Sequence, residues 1–224
     1  MAVQYRERAS DSPFVQTIWS TEAVCDGCDM VAADSSWDIL VWKEAGKTRL
    51  MLSGSMTRAK PIHHMEGNEC LGIRFKPGTY IPYFPGETIL DLTTILPEGT
   101  RKSFWLGSST WEIPDFENAD TFANRLAKAD LLVRDPIVDS VLHGEIRPVS
   151  LRSVQRRFLR ITGLTHNTIW QIERARQAAA LLEQGTPILE VVRQAGYADQ
   201  QHMTRSLKRF IGQTPAQLFR MKSE

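Results

Sequence analysis

Ala195-Gly196-Tyr197-Ala198-Asp199-Gln200-Gln201-His202-Met203-Thr204-Arg205-Ser206-Leu207-Lys208-Arg209-Phe210 reads as a turn running into a helix. Gly196 stops what precedes it, Tyr197-Ala198 makes the turn, and Asp199 stands where it can cap a helix starting at Gln200. Upstream, Thr186-Pro187 offers an N-cap with proline at the first helical position, and Ile188, Val191, Val192 and Ala195 form an apolar face. A helix, a tight glycine-containing turn and a second helix with a polar outer side make a helix-turn-helix unit over about residues 187–211. Projected at about 100° per residue, the second helix points Met203, Leu207, Phe210 and Ile211 inward. Gln201, Thr204, Arg205, Lys208 and Arg209 point outward.

The same pattern occurs 49 residues earlier: Val154 aligns with Met203, Arg156 with Arg205, Phe158 with Leu207, Arg160 with Arg209, Gly163 with Gly212 and Thr165 with Thr214. In this first copy Leu151, Val154, Phe158 and Ile161 form the apolar stripe, and Arg152, Gln155, Arg156 and Arg160 lie opposite. Neither outward face holds a carboxylate, although a merely solvated face mixes signs. DNA supplies a reason. Its major groove admits an α-helix, and arginine reads guanine there while glutamine reads adenine. Arg160, Lys208 and Arg209, nearer the helix C-termini, suit phosphates, which position a reader without carrying sequence information. Between the copies, Ile169, Ile172, Ala175, Ala179 and Leu182 predict one long helix, capped by Thr165 or Asn167 and ended at Gly185.

The stretch from Ala195 to Phe210, followed by Gly212-Gln213-Thr214-Pro215, resembles the second helix-turn-helix of the AraC/XylS family of transcription regulators. Leu151 to Gly163 resembles that family's first recognition helix, and the likeness covers about residues 134–220. The resemblance implies two recognition helices in successive major grooves of double-stranded DNA, joined by the long helix. It implies base reading by Arg152, Gln155 and Arg156 in the first, and by Gln200, Gln201, Thr204 and Arg205 in the second. One departure stands out. Only Glu145-Ile146-Arg147-Pro148-Val149 lies between Gly144 and the cap residue Ser150, too short and too broken by proline for the family's supporting helix. The first module is therefore read as truncated, with a short helix from Pro136 to His143, capped by Asp135, as its brace.

Further from this core the signals change. Asp38–Lys43 and Thr48–Ser53 are β-rich runs around a hairpin turn at Glu44–Lys47, and Leu71–Phe75 is a third. Frequent prolines and glycines between Pro82 and Gly99 disfavour long helices. Ala119–Leu132 has helical spacing. The fold class is α+β: a mainly-β, barrel- or sandwich-like N-terminal domain, then an all-α domain whose long helix joins two helix-turn-helix units. Domains are placed at 1–113 (a sensor or dimerisation domain), 114–133 (a helical linker) and 134–224 (DNA binding). Charge agrees: from Arg134 onward 14 Lys and Arg stand against 8 Asp and Glu, leaving 13 against 18 for the first 133 residues.

No apolar run is long enough to cross a bilayer, and Met1–Asp11 has no apolar signal core, which predicts a cytoplasmic protein. Cys25-Asp26-Gly27-Cys28 has the spacing of half a zinc or redox site that Cys70 and His63 or His64 could complete, but Asp-Gly at its centre is also a natural turn, and no metal is expected. Trp37, Trp42, Trp105 and Trp111 are either core or the lining of an apolar pocket. No nucleophile elbow, phosphate loop or zinc-protease motif is present, so no enzyme and no cofactor is expected. The partners expected are DNA, RNA polymerase and a small-molecule effector of unstated identity, with the chain as monomer or homodimer. The alternative is a small-molecule or metal/redox-sensing β protein with a helical oligomerisation tail. It leaves the repeated Gln/Arg faces unexplained.

Overall fold

The computed structural model describes residues 3–142, 144–145 and 149–220. In chain order the elements are β1 (Val3–Ala9), β2 (Val15–Ala23), β3 (Gly27–Val31), β4 (Asp38–Glu44), β5 (Lys47–Ser53), β6 (Lys60–His64), β7 (Glu69–Phe75), β8 (Thr79–Tyr80), α1 (Gly86–Ile89), β9 (Thr93–Ile95), β10 (Glu98–Thr100), β11 (Ser103–Leu106) and β12 (Ser109–Glu112). Then come α2 (Ala119–Lys128), β13 (Val133–Arg134), α3 (Pro136–Leu142), α4 (Leu151–Thr162), α5 (His166–Glu183), α6 (Ile188–Gln194), α7 (Gln200–Phe210) and α8 (Pro215–Arg220). They form two compact units, one of residues 1–27, 36–55 and 63–164, the other of residues 28–35, 56–62 and 165–224. These borders differ from the expected ones at 113 and 134: α4 groups with the β-rich unit, and two short segments of the N-terminal half group with the C-terminal helices.

The first unit is built on an antiparallel sheet of order β1-β2-β7-β4-β5-β9. Alternation in the sequence explains it: in β4, Ile39 and Val41 are buried while Asp38, Leu40 and Trp42 on the other side are only half-buried. β4 and β5 are joined by Ala45-Gly46, both at positive φ (48° and 75°), the two-residue turn whose twist matches the flanking strands. Ile18, Ile39, Leu52, Ile73 and Phe75 from the sheet meet Phe104, Phe122 and Leu126 in one buried core. β10, β11 and β12 form a separate three-stranded sheet.

α2 stops at Lys128 and does not reach Leu132. Asp130 takes a left-handed conformation (φ 56°) and the Leu131 N–H turns back to the Leu126 carbonyl at 3.0 Å, closing the helix so that Leu131 and Leu132 drop into the core. Asp135 caps α3 as expected, its carboxylate accepting from the Ile137 and Val138 N–H groups at 2.9 and 3.1 Å, and it also pairs with Arg157 of α4. His143 and Ile146–Pro148, on which the expected helix end and the truncation of the first module rest, lie outside the described residues.

In the second unit α5 carries the inward residues Ile169, Ile172, Ala175, Ala179 and Leu182, with Thr165 as its N-cap. α6, α7 and α8 pack around it. α6 begins one residue later than the sequence suggests: Pro187 is its N-cap, with no side-chain cap from Thr186, and the Pro187 carbonyl accepts from Glu190 and Val191. Arg174 of α5 lies over the rings of Trp170 (4.4 Å) and Tyr197 (4.2 Å) and donates to the Gly196 carbonyl, tying the long helix to the turn between α6 and α7.

Candidate nucleic-acid interface

Each recognition helix is set by a cap at one end and an apolar face along its length. In α7, Asp199 accepts from the His202 N–H at 2.6 Å, and Met203, Leu207 and Phe210 are buried. The Tyr197 hydroxyl meets Ser206 Oγ at 2.9 Å beneath the turn. This leaves Gln200, Gln201, Arg205, Lys208 and Arg209 exposed. Thr204 is half-buried, its hydroxyl donating to the Gln200 carbonyl at 2.8 Å. Gln200, Gln201, Thr204 and Arg205 line one depression of about 380 Å³. The guanidinium of Arg209 folds over the Phe210 ring at 4.9 Å.

The C-terminal end of α7 is finished by residues from far back in the sequence. The Phe210 carbonyl accepts from the Ala33 N–H at 2.6 Å and the Arg209 carbonyl from the Ala59 N–H at 2.9 Å. These carbonyls have no partner within a helix. Arg176 of α5 holds the same segment, donating to the Ala33 carbonyl and the Asp34 carboxylate, both at 3.2 Å. Gly212 (φ 84°) is pressed against Met30 so closely that a Cβ there would lie 2.4 Å from Met30 Cγ. No local pattern in the sequence announces this clasp, because its donors lie more than 140 residues from the helix they complete.

α4 is capped by Ser150, which accepts from the Ser153 N–H, and ends at Gly163 in the left-handed region (φ 70°). Val154, Phe158 and Ile161 are buried. Leu151, expected on the apolar stripe, is 82% exposed, because it sits in the first turn ahead of the packed surface. Arg152, Gln155, Arg156 and Arg160 are exposed. Arg160 donates to the Tyr80 hydroxyl at 3.0 Å and lies 5.7 Å from that ring, so part of its fork is already engaged. The end of α4 is also closed tightly: a Cβ on Gly86 of α1 would fall 2.5 Å from Gly163 N. α3 packs on α4 through the Asp135–Arg157 pair, the position expected of a brace.

The weaker sequence candidates separate. Cys25 and Cys28 are exposed and Cys70 is buried, and no three His, Cys, Asp or Glu side chains among the described residues come together to hold a metal, His63 included. Burial, with the charge of Asp38, pushes the Cys70 thiol up to about 12, a poor nucleophile and a poor ligand. Trp37 is core and Trp111 packs against it, Trp42 is half-buried and Trp105 exposed, and none of the four lines the cleft at the end of the main sheet. That cleft, about 770 Å³, opens over the end of the main sheet between β2, β7 and the Ile113–Phe116 segment. Arg6 donates to Ser20 Oγ at 2.7 Å there and lies over the Phe116 ring, and Lys43 pairs with Glu69 at 2.7 Å. Among the described residues no helix is long and apolar enough to cross a membrane.

Comparison with known proteins agrees with this geometry. A family described as "Helix-turn-helix domain" matches residues 147–221, spanning α4 to α8. The HTH-type transcriptional regulator RipA of Corynebacterium glutamicum is 35% identical over 92 residues, which is 40% of this chain and 28% of RipA. The chain thus matches well under two thirds of that relative's length. Two solved structures of ToxT from Vibrio cholerae align over 99% of this chain at 10–11% identity, with TM-scores of 0.41 and 0.39 and 99% and 98% of ToxT covered. What the chain shares with these proteins in sequence is the helix-turn-helix domain of residues 147–221.

Proposed function

We propose that α4 and α7 read two successive major-groove segments of one DNA site, and that a small molecule bound by the N-terminal β-rich unit modulates the outcome. The observation that carries the reading is the repeated, acid-free outer face. Neither α4 nor α7 contains a carboxylate, and apart from Leu151 the exposed positions of both are arginine, glutamine and lysine. In this reading Arg152, Gln155 and Arg156 face bases from α4, and Gln200, Gln201, Thr204 and Arg205 face bases from α7. Arg160, Lys208 and Arg209 hold phosphates, Arg160 with the N–H groups that Tyr80 leaves over. Residues 134–224 act as the DNA-binding domain in this scheme, as one functional stretch of sequence.

The cleft over the sheet end suits a polar effector, since its floor of Val41 and Leu71 is ringed by charges of both signs. The chain works without a catalytic step, in the cytoplasm, with RNA polymerase as the downstream partner. Selection of binding sites from random duplexes, repeated with candidate metabolites, tests the reading. A two-part consensus that loses one part on Arg205→Ala and the other on Arg156→Ala supports it. Enrichment of no sequence at all refutes it.

A further inference from the structure

Thr57 and Arg58 form a bend that the second unit ties down on either side. On one side Met56 and Asp34 exchange backbone hydrogen bonds of 2.7 and 3.2 Å, and the Asp34 carboxylate is itself fixed by Arg176 of α5. On the other, the Ala59 N–H donates at 2.9 Å to the Arg209 carbonyl in the last turn of α7, and a Cβ on Gly212 would lie 3.1 Å from that of Ala59. Between these ties sits Arg58. It is exposed, and its side chain makes no hydrogen bond or ion pair among the described residues. Bond lengths alone put its Cα within about 6 Å of the Arg209 carbonyl oxygen. Lys60, two residues on, is half-buried and already has a partner.

The surroundings are cationic. No Asp or Glu occurs from Ser53 to Met65 or from Gln200 to Arg220, and these two stretches, far apart in sequence, meet at the Ala59–Arg209 bond. There Arg58 joins Lys208 and Arg209, both exposed, at the C-terminal end of α7. Asp29, the acid of the paired strand β3, already has a partner. An acid-free cluster at the end of a helix lying in a major groove meets the phosphates that border the groove. Because the backbone on either side of Arg58 is tied, only its side chain is left to order on binding. We propose that Arg58 holds a backbone phosphate of the duplex that α7 reads, beside those held by Lys208 and Arg209, an assignment that rests on α7 being a DNA reader. The footprint on DNA then includes a residue from the N-terminal half of the chain. This contact fixes position and carries no sequence information.

The test is a fluorescence anisotropy titration of the full chain on a duplex selected from random DNA and on a scrambled one, repeated over a range of salt. Arg58→Ala is expected to weaken both complexes about fivefold at about 150 mM salt. It should also lower the slope of log affinity against log salt by about one, the loss of a single phosphate contact. Arg58→Lys keeps the charge and should recover most of the affinity and the slope. The melting temperature and the selected consensus should stay as in the wild type, because Arg58 is exposed and reads no base. A slope that Arg58→Ala leaves unchanged, or shifts by much less than one as a distant charge would, overturns the proposal and leaves the reading by α7 intact. So does weaker binding that comes with a lower melting temperature and an unchanged slope, the mark of a purely structural role. A wild type that binds neither duplex sinks the reading by α7 and this contact together.

Discussion

Gly212→Ala tests whether the N-terminal segments truly finish the second recognition helix. Two costs arise at this position. Gly212 holds φ at 84°, where a side chain adds about 1–2 kcal/mol of backbone strain. A Cβ would also sit 2.4 Å from Met30 Cγ, 2.8 Å from Met30 Sδ and 3.1 Å from Ala59 Cβ. Met30 is 45% exposed and can swing outward, giving up the buried part of its side chain at about 1 kcal/mol. The total is about 2–3 kcal/mol, measured as the shift in urea unfolding free energy. Met30→Ala separates the two parts. It removes the obstacle and leaves the strain, so Gly212→Ala made on top of Met30→Ala should cost about 1 kcal/mol less than in the wild type. Strict additivity of the two substitutions would mean that Met30 is not seated on Gly212, and the clasp would be lost with it.

Other outcomes follow from single contacts. Arg205→Ala should cost about 1–3 kcal/mol of base discrimination in a binding-site selection, more than Arg156→Ala, because α7 belongs to the complete helix-turn-helix; equal losses at the two half-sites would contradict this. Asp135→Ala removes two helix-capping hydrogen bonds and the partner of Arg157 from a position only 5% exposed, and should cost about 2–4 kcal/mol in urea unfolding. For Asp120, burial pulls the carboxyl pKa upward, but hydrogen bonds from Ser10 and Arg8 outweigh it and hold the value below the ordinary 3.8. Its stabilising effect is therefore full above pH 3.8 and fades as the pH falls through the lower folded value; Asp120→Asn should flatten the acid limb of the stability curve.

Much of the C-terminal architecture was written locally. Ser150, Thr165 and Asp199 each cap the helix they precede, and Gly163, Gly185, Gly196 and Gly212 all stand at positive φ. Such signals survive in a single sequence because caps and stops act within one helical turn. The β4–β5 hairpin was legible for the same reason. The rest depended on long-range pairing. Nothing near Ala33 or Ala59 marks them as donors to Phe210 and Arg209, and nothing near Gly86 marks it as the floor under Gly163. The end of α2 is not legible in the sequence, because apolar spacing continues through Leu132 while the stop comes from Asp130 adopting a conformation that Gly or Asn more often signals. Trp170 and Arg174 lie four apart on α5, a readable spacing, yet their engagement with Tyr197 comes from tertiary packing.

The most direct measurement is a fluorescence anisotropy titration of the purified chain against its selected duplex and a scrambled duplex of equal length, at about 150 mM salt. Two helices that read bases should hold the selected duplex at least about 10³-fold more tightly, with affinity falling steeply as salt is raised. Equal affinity for both duplexes, or no measurable binding to either, would contradict sequence-specific recognition by α4 and α7.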